Sequence, residues 1–265
     1  MTQLAYHRPV SAAEAARLAA GDAEAKLLAG GQSIVPSLKL GLLAPSALID
    51  LAGIPELRGI RLQGRTLTVG AMTTHAAVAA SPEVRSSIPA LARLAEGIGD
   101  RQVRNRGTAG GSLANSDPAA DYPAAALALG AVLRTTRRTI AADGFFKGLF
   151  ETALEPGELL MAVDFPVPER AAYVKHPQPA SRFALVGVFV SQTGGAVRVA
   201  VTGAGPCVFR VKAMEEALAK RFTPESLAGI GVSADALSSD IHGSAEYRAH
   251  LIPVLARQAV VQALG

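Results

Sequence analysis

Residues 25–33 read Ala-Lys-Leu-Leu-Ala-Gly-Gly-Gln-Ser, a short apolar run that ends in the paired glycines Gly30 and Gly31. The apolar run is typical of a buried strand, and Pro36 favours a short helix over residues 37–42. Paired glycines let the backbone turn sharply and approach a ligand with no Cβ in between. The stretch therefore predicts a strand, a ligand-contacting loop and a helix, which together make a small α/β unit.

A second glycine pair lies in residues 108–112, Thr-Ala-Gly-Gly-Ser, after the basic segment 101–106, Arg-Gln-Val-Arg-Asn-Arg. Amides of such loops, with hydroxyl groups nearby, can form a nest for an anion. Either pair alone is more typical of a plain tight turn, and neither has the spacing of a Rossmann motif or the lysine of a P-loop. Together the two loops predict a clamp on the two phosphates of a dinucleotide. The basic segment fits either a phosphate or partner contact or a solvated loop.

The remaining pattern divides the chain into three predicted units. Four prolines between residues 166 and 179, with no clear period, mark a boundary before a C-terminal unit. The units are residues 1–55, 56–168 and 169–265. The predicted elements are helices after the Ser11-x-x-Glu14 capping box and over residues 74–80, 82–95, 121–129, 211–219 and 244–264, strands at 25–29, 47–51, 132–140 and 159–165, and hairpins at 60–69 and 183–201 around Gly194-Gly195.

Composition excludes several classes of function. The net charge of +4 is small, aromatic residues make up 5% and tryptophan is absent, which argues against a nucleic-acid partner. The single cysteine, Cys207, cannot form an internal disulfide or hold an iron–sulfur cluster, and the histidines lack metal-ligand spacing. The longest apolar run, residues 123–133, is shorter than the roughly 20 residues that span a bilayer. Because the first residues lack a signal-peptide pattern, a cytoplasmic location is expected.

The flanks of the two loops carry a resemblance to a known family. Residues 29–36, Ala-Gly-Gly-Gln-Ser-Ile-Val-Pro, with Leu-Ile-Asp-Leu at 48–51, resemble the first signature of the FAD-binding medium subunit of molybdenum hydroxylases, the xanthine dehydrogenase family. Residues 108–121, Thr-Ala-Gly-Gly-Ser-Leu-Ala-Asn-Ser-Asp-Pro-Ala-Ala-Asp, resemble the second. The nearest group is the medium subunit of aerobic carbon monoxide dehydrogenase. Further similarity at 150–160 and 240–248 extends the resemblance over nearly the whole chain.

This resemblance implies an α+β protein with an FAD-binding fold of the vanillyl-alcohol-oxidase (PCMH) type. That fold comprises two α/β subdomains, followed by a C-terminal domain of antiparallel sheet and helices. FAD would bind this chain, whereas a large partner subunit would hold the molybdenum cofactor and a small one 2Fe–2S iron–sulfur clusters. The expected assembly is a dimer of heterotrimers, which passes electrons through FAD to an acceptor such as a quinone.

The resemblance also assigns positions to the cofactor-binding residues. The two loops would hold the FAD pyrophosphate, Asp121 would lie near the ribityl or phosphate portion, and Leu160 or Met161 would lie by the isoalloxazine ring. Lys175 would lie there too, where a cation stabilises the anionic reduced flavin. Two positions depart from the family pattern, because Ala109 replaces Ile or Val and Ser112 replaces Asn. The predicted cofactor-binding residues are Leu27, Leu28, Ala29, Gly30, Gly31, Gln32, Ser33, Ile34, Thr108, Ala109, Gly110, Gly111, Ser112, Asp121, Leu160, Met161 and Lys175.

No catalytic residue and no metal ligand is predicted in this chain. Asp117 is interpreted as a helix cap, and Asp121 fits a cap as well as an FAD contact. His176 is interpreted as structural or exposed, while Tyr122 and Phe146 suit core packing and flavin shielding equally. Two alternative functions stay open: a self-sufficient flavin oxidoreductase of the same fold, and an interaction module without a cofactor.

Overall fold

The computed structural model describes residues 4–265, and the chain forms its first sheet within the first 50 residues. This sheet has three parallel strands in the order β1-β3-β2. Two helices connect the strands, and two single 3-10 turns follow them. The elements are β1 (Ala5–His7), α1 (Ala12–Gly21), β2 (Lys26–Leu28), α2 (Ile34–Lys39), β3 (Ala47–Asp50) and the turns Leu51–Gly53 and Pro55–Leu57.

The local sequence accounts for most of this unit. Ser11 caps α1 by accepting a hydrogen bond from the amide of Glu14 at 3.2 Å, as predicted, while the Glu14 carboxylate accepts from the amide of Val10. The prediction that β2 is buried is wrong, because Leu27 is 37% exposed and β2 pairs with β3 alone at the edge of the sheet. Strand β2 therefore presents apolar side chains to the surface immediately before the first glycine pair.

The second unit is a five-stranded antiparallel sheet in the order β4-β5-β10-β6-β7, covered by helices. The residues that pack between helices and sheet form the largest core of the protein. A separate two-stranded hairpin pairs β8 with β9. The elements are β4 (Ile60–Gln63), β5 (Thr66–Gly70), α3 (His75–Ala80), α4 (Pro82–Ser87), α5 (Pro89–Glu96), α6 (Arg101–Arg106), α7 (Ala109–Asn115), α8 (Tyr122–Leu129), β6 (Val132–Thr135), β7 (Thr139–Ala141), α9 (Ala142–Phe145), β8 (Phe146–Gly148), β9 (Glu151–Thr152) and β10 (Leu160–Pro166).

The basic segment forms the helix α6 and is not the loop that was one of the two interpretations. Asp100 caps α6, because its carboxylate accepts from the amide of Val103 at 2.8 Å. The guanidinium of Arg104 donates back to the carbonyls of Ile98 and Gly99. These contacts fix the turn between α5 and α6, and α6 then runs directly into the second glycine pair.

The third unit is a four-stranded antiparallel sheet in the order β11-β12-β13-β14, on which the long helix α11 packs. Strands β12 and β13 form the hairpin predicted around Gly194 and Gly195, both of which have positive φ. Strand β11 was not predicted, because prolines at both ends made its sequence look like a linker. The elements are β11 (Arg170–Pro177), β12 (Ala184–Thr193), β13 (Ala196–Thr202), β14 (Phe209–Arg210), α10 (Lys212–Lys220), a 3-10 turn (Pro224–Leu227) and α11 (Ala245–Leu264).

The second and third units share buried surface. Phe189 and Ala200 of the third sheet belong to the same core as α8, and the hydroxyl of Ser191 donates to the carbonyl of Ala128 at 2.6 Å. The division into domains at residues 55 and 168 therefore remains a proposal, with a substantial contact across the second boundary. Over residues 4–265, no helix combines the length and the apolar character needed to cross a membrane.

Candidate FAD site

The two glycine pairs, far apart in sequence, pack against each other. The first glycine loop (residues 29–33) lies between β2 and α2, and the second glycine loop (residues 108–112) opens α7. A Cβ at Gly30 would collide with the carbonyl oxygen of Arg106 and lie 2.7 Å from the Cα of Gly107. A Cβ at Gly111 would lie 3.2 Å from the Cβ of Ala29. Glycine is therefore required at position 30, where the two backbones touch, and a side chain at position 111 would press on Thr108 Oγ1 and Ala29.

The first glycine loop presents unused hydrogen-bond donors. The backbone amides of residues 29–33 donate to no oxygen of residues 4–265. Gly31 has a φ of +76°, in the left-handed region that favours glycine. Consecutive free amides at a left-handed turn are the donors that bind phosphate groups in proteins. This loop can therefore accept an anionic group without losing any bond of the fold.

The second glycine loop uses its amides within the protein. Thr108 caps α7 by accepting from the amide of Gly111 at 3.1 Å, and the amide of Gly110 donates to the carbonyl of Ala71 at 2.9 Å. The amide of Ala109 donates to the carbonyl of Thr73 at 3.0 Å. These amides thus do not supply the second half of an anion nest. What this loop offers a ligand is close backbone approach and the half-buried hydroxyl of Ser112, which has no protein partner in the described chain.

The predicted residues of β10 lie beside the second glycine loop. The carbonyl of Met161 accepts from the amide of Ala71, the same residue whose carbonyl accepts from Gly110. Leu160 is buried in the large core, whereas Met161 is half-buried against the core of the first unit. Strand β10 therefore brings Met161 close to the place where the two loops meet.

The buried carboxylate of Asp121 contacts the half-buried Tyr173 and Lys175, and these three residues are called here the Asp121 cluster. The Lys175 ammonium donates to Asp121 Oδ1 at 2.9 Å and to the carbonyls of Gly97 and Arg182, each also at 2.9 Å. The Tyr173 hydroxyl donates to the same Asp121 oxygen at 2.7 Å. Burial raises the pKa of Asp121, and the contacts from Lys175 and Tyr173 oppose that rise. Lys175 is thus a buried ion-pair partner.

The interpretations of the two aspartates as helix caps do not match their hydrogen bonds. The Asp121 side chain makes no capping bond to α8, although the residue stands at the start of that helix. The carboxylate of Asp117 instead accepts from the amide of Ala119 at 2.8 Å, two residues along the chain. Asp117 therefore shapes the turn before α8, and Asp121 has its charge directed to the third sheet.

His75, which the sequence did not single out, packs between Gly107, just before the second glycine loop, and Tyr122, just after Asp121. The His75 ring stacks on Tyr122 with centroids 5.3 Å apart, and its Nε2 leaves no room for a Cβ at Gly107. Tyr122, next to Asp121, is fully buried, and its hydroxyl has no hydrogen-bond partner among residues 4–265. The only sequence signal was the position of His75 after the helix cap Thr74. Tyr173 was missed too, although it lies two residues before Lys175 on the same face of β11.

His75 makes the stability of this region depend on pH. Burial, with a smaller contribution from Arg104, lowers the pKa of His75 to about 4, below its value of about 6.5 in an unfolded chain. Because the unfolded chain binds the proton more readily, stability is lost as the pH falls from about 6.5 to about 4. Between pH 7 and pH 4.5 the unfolding free energy of the wild type falls. We expect the unfolding free energy of His75→Gln, measured by urea titration, to fall by about 2 kcal/mol less over the same range. The same substitution at exposed His250 is the control, and an equal effect there would contradict the prediction.

The arrangement defines a class of protein. The free amides of the first glycine loop, with the second loop pressed against it, fit a ligand that carries phosphate groups. These features are typical of a dinucleotide-binding α+β protein.

The comparisons with known proteins name the family. Residues 2–168 match the family described as the FAD binding domain in molybdopterin dehydrogenase. The carbon monoxide dehydrogenase medium chain of Hydrogenophaga pseudoflava is 38% identical over 96% of this chain and 95% of its own. The nicotine 6-hydroxylase medium subunit of Paenarthrobacter nicotinovorans is 37% identical over 97% and 96%. A solved structure of the Hydrogenophaga carbon monoxide dehydrogenase superposes with a TM-score of 0.91 at 37% identity, over 99% of this chain and 97% of that one.

The chain belongs to the FAD-binding medium subunits of the molybdenum hydroxylase family. It is accordingly an FAD-dependent oxidoreductase subunit, as the resemblance in its loop signatures predicted. The α+β fold predicted from that resemblance is confirmed as well. The residue-by-residue assignment of the FAD contacts remains a prediction, which the geometry above supports most directly for the first glycine loop.

Proposed function

We propose that this chain carries electrons within a molybdenum hydroxylase complex, from iron–sulfur clusters on a small partner subunit through FAD to an external acceptor such as a quinone. The observation that carries the proposal is the first glycine loop, whose amides are free to donate and whose Gly30 touches Arg106 and Gly107, immediately before the second loop. Bound FAD would supply reversible one- and two-electron redox chemistry. The family's FAD domain covers the segment that contains both loops.

The roles of this chain's residues follow from their chemistry. Residues 27–34 would bind the FAD pyrophosphate with backbone amides, and residues 108–112 would close the opposite side. Asp121 would accept a hydrogen bond from a cofactor hydroxyl. Leu160 and Met161 would exclude water from one face of the flavin, and Lys175 would keep a positive charge near it. None of these residues needs to move a substrate proton, because the hydroxylation would take place on a partner.

The partners proposed are a large subunit with the molybdenum cofactor and a small subunit with 2Fe–2S clusters, in a cytoplasmic dimer of heterotrimers. The names "medium chain" and "medium subunit" of the relatives support an assembly of several subunits. Carbon monoxide is the first substrate to test, because two relatives are carbon monoxide dehydrogenase medium chains at 38% and 35% identity. Nicotine is the second, since the nicotine 6-hydroxylase subunit is nearly as similar.

The test is native purification of the chain with its co-eluting partners, followed by absorption spectroscopy and identification of the released flavin. We expect FAD on this chain, cluster and molybdenum signals on two other chains, and bleaching of the flavin band when the complex meets its substrate without oxygen. Reoxidation of the flavin by an added quinone would support the acceptor. Turnover by the isolated chain would instead favour a self-sufficient oxidoreductase. Failure to bind FAD, alone or with partners, would overturn the proposal.

A further inference from the structure

The hydroxyl group of Tyr173 is held at a defined place by several contacts. Its ring stacks on Phe189, with centroids 6.0 Å apart and an interplanar angle of 29°. Its oxygen donates to Asp121 Oδ1 at 2.7 Å. Burial raises the pKa of the Tyr173 phenol well above its ordinary value, and Asp121 raises it further, so the hydroxyl keeps its proton and acts as a donor.

Strand β12 makes room for that hydroxyl. Gly187 is the one glycine of β12, whose burial pattern is otherwise that of a central strand with large apolar side chains. A Cβ at Gly187 would collide with the Tyr173 oxygen. Gly187 pairs with Lys175, and Phe189 pairs with Tyr173, so all four residues lie on the face of the sheet that covers α8. The sequence of β12 thus accommodates a tyrosine hydroxyl at this point of the face.

Both donors of the Asp121 cluster bind the same carboxylate oxygen. Lys175 and Tyr173 each donate to Oδ1, whereas no residue of the described chain other than Asp121 itself has a donor within hydrogen-bond reach of Oδ2. Two donors from one strand fix the rotation of the carboxylate, because a turn about its axis would break two charge-assisted hydrogen bonds. The second oxygen therefore has a fixed direction and unused acceptor capacity.

We propose that Tyr173 is a positioning residue for the cofactor: with Lys175 it fixes Asp121 so that Oδ2 accepts a hydrogen bond from a hydroxyl group of FAD. The inference rests on the proposed function, since it takes FAD as the ligand of Asp121. Tyr173 itself does not touch the cofactor and acts only through the carboxylate. It therefore affects how tightly FAD binds more than it affects the fold.

The variant Tyr173→Phe tests this, because it keeps the ring stacked on Phe189 and removes only the oxygen. We expect FAD to bind this variant about 10 to 100 times more weakly than wild type, the range for losing a hydrogen bond to a charged group. FAD fluorescence titration measures this on the full chain, or on the co-purified complex. The matched control is Tyr6→Phe, which removes the Tyr6 hydrogen bond to Asp50 Oδ2 and should change FAD affinity less than about twofold.

A double-mutant cycle separates a positioning role from a structural one. Asp121→Asn weakens the acceptor, so Tyr173→Phe added to it should weaken FAD binding by no more than about a further threefold. Independent effects on the fold would multiply instead, and that result would overturn the inference. Gly187→Ala is the second variant, expected to weaken FAD binding because it displaces the hydroxyl without removing it.

The outcomes also distinguish this inference from the proposed function. Wild-type protein that binds FAD, with a Tyr173→Phe variant that binds it equally well, would overturn the positioning role and leave the function standing. Wild-type protein that binds no FAD in either form would overturn both. Weaker binding by the variant, with the thermal unfolding midpoint close to that of Tyr6→Phe, would support both.

Discussion

Replacing Lys175 with methionine is expected to lower the free energy of unfolding by about 3–5 kcal/mol at neutral pH, the usual cost of removing one partner from a buried ion pair. The Lys175 side chain is 11% exposed and the Asp121 side chain 5%, so little water reaches the pair to replace the lost contact. The carbonyls of Gly97 and Arg182 lose their donor at the same time. Urea unfolding followed by circular dichroism measures the change.

The pH dependence gives this prediction a second readout. Burial already raises the pKa of Asp121, and loss of the ammonium raises it further. A carboxyl whose pKa is higher in the folded state than in the unfolded state stabilises the fold at low pH and loses that contribution as the pH rises. The destabilisation by Lys175→Met should therefore be smaller at pH 4.5 than at pH 7. A cost that is the same at both pH values would contradict the role of the charge.

The control for this variant is Lys147→Met, at an exposed lysine of β8. Loss of a surface lysine should change the unfolding free energy by less than about 0.5 kcal/mol. A similar cost for both variants would mean that the lost lysine side chain, and not the buried ion pair, determines the stability.

The second large effect is expected for Gly30→Ala, which should weaken FAD binding on the order of 100-fold, or about 2.7 kcal/mol. The new Cβ would meet the carbonyl of Arg106 and the backbone of Gly107, and neither can rotate away as a side chain would. The first glycine loop must then move away from the second. The free amides lose the geometry that the pyrophosphate requires, because a small displacement of a binding group costs much of its contribution.

Gly21→Ala is the matched control for this glycine, because no atom lies within 4 Å of a Cβ built there. FAD titration of both variants, with thermal unfolding as a check of the fold, measures the effect. Gly30→Ala is expected to keep a cooperative unfolding transition, since overpacking usually costs about 1–3 kcal/mol. Wild-type affinity in Gly30→Ala would show that the contact between the two loops does not hold the cofactor.

Local sequence chemistry predicted the elements with strong local signals. The hairpin at Gly194-Gly195 followed from its turn residues, and the helix after Ser11 followed from its cap. Strand β11 was not predicted, because prolines flank it and because Lys175 and His176 interrupt its apolar pattern. It is a strand because it pairs with β12 along its whole length, and the sequence of residues 166–179 carries no local signal of that tertiary contact.

The site was predicted in part. The glycine pairs marked both loops, yet the contact of Gly30 with Arg106 depends on how two units fold together and has no local signal. The two loops are not equivalent as anion nests, because the amide of Gly110 in the second loop already donates to the carbonyl of Ala71. Lys175 was predicted as a site residue only from the family resemblance. Its ion pair with Asp121 could not be predicted from sequence spacing.

If the free amides of the first glycine loop bind FAD as proposed, the stability of the folded protein depends on the supply of its cofactor. A ligand that binds only the folded chain stabilises it by about 2.7 kcal/mol at a concentration 100 times its dissociation constant. The exposed Leu40 and Leu42 lie shortly after the loop, in a segment (residues 32–46) that contains no buried residue. When flavin is scarce, this segment would open first, and proteases would cut there before the rest of the chain unfolds.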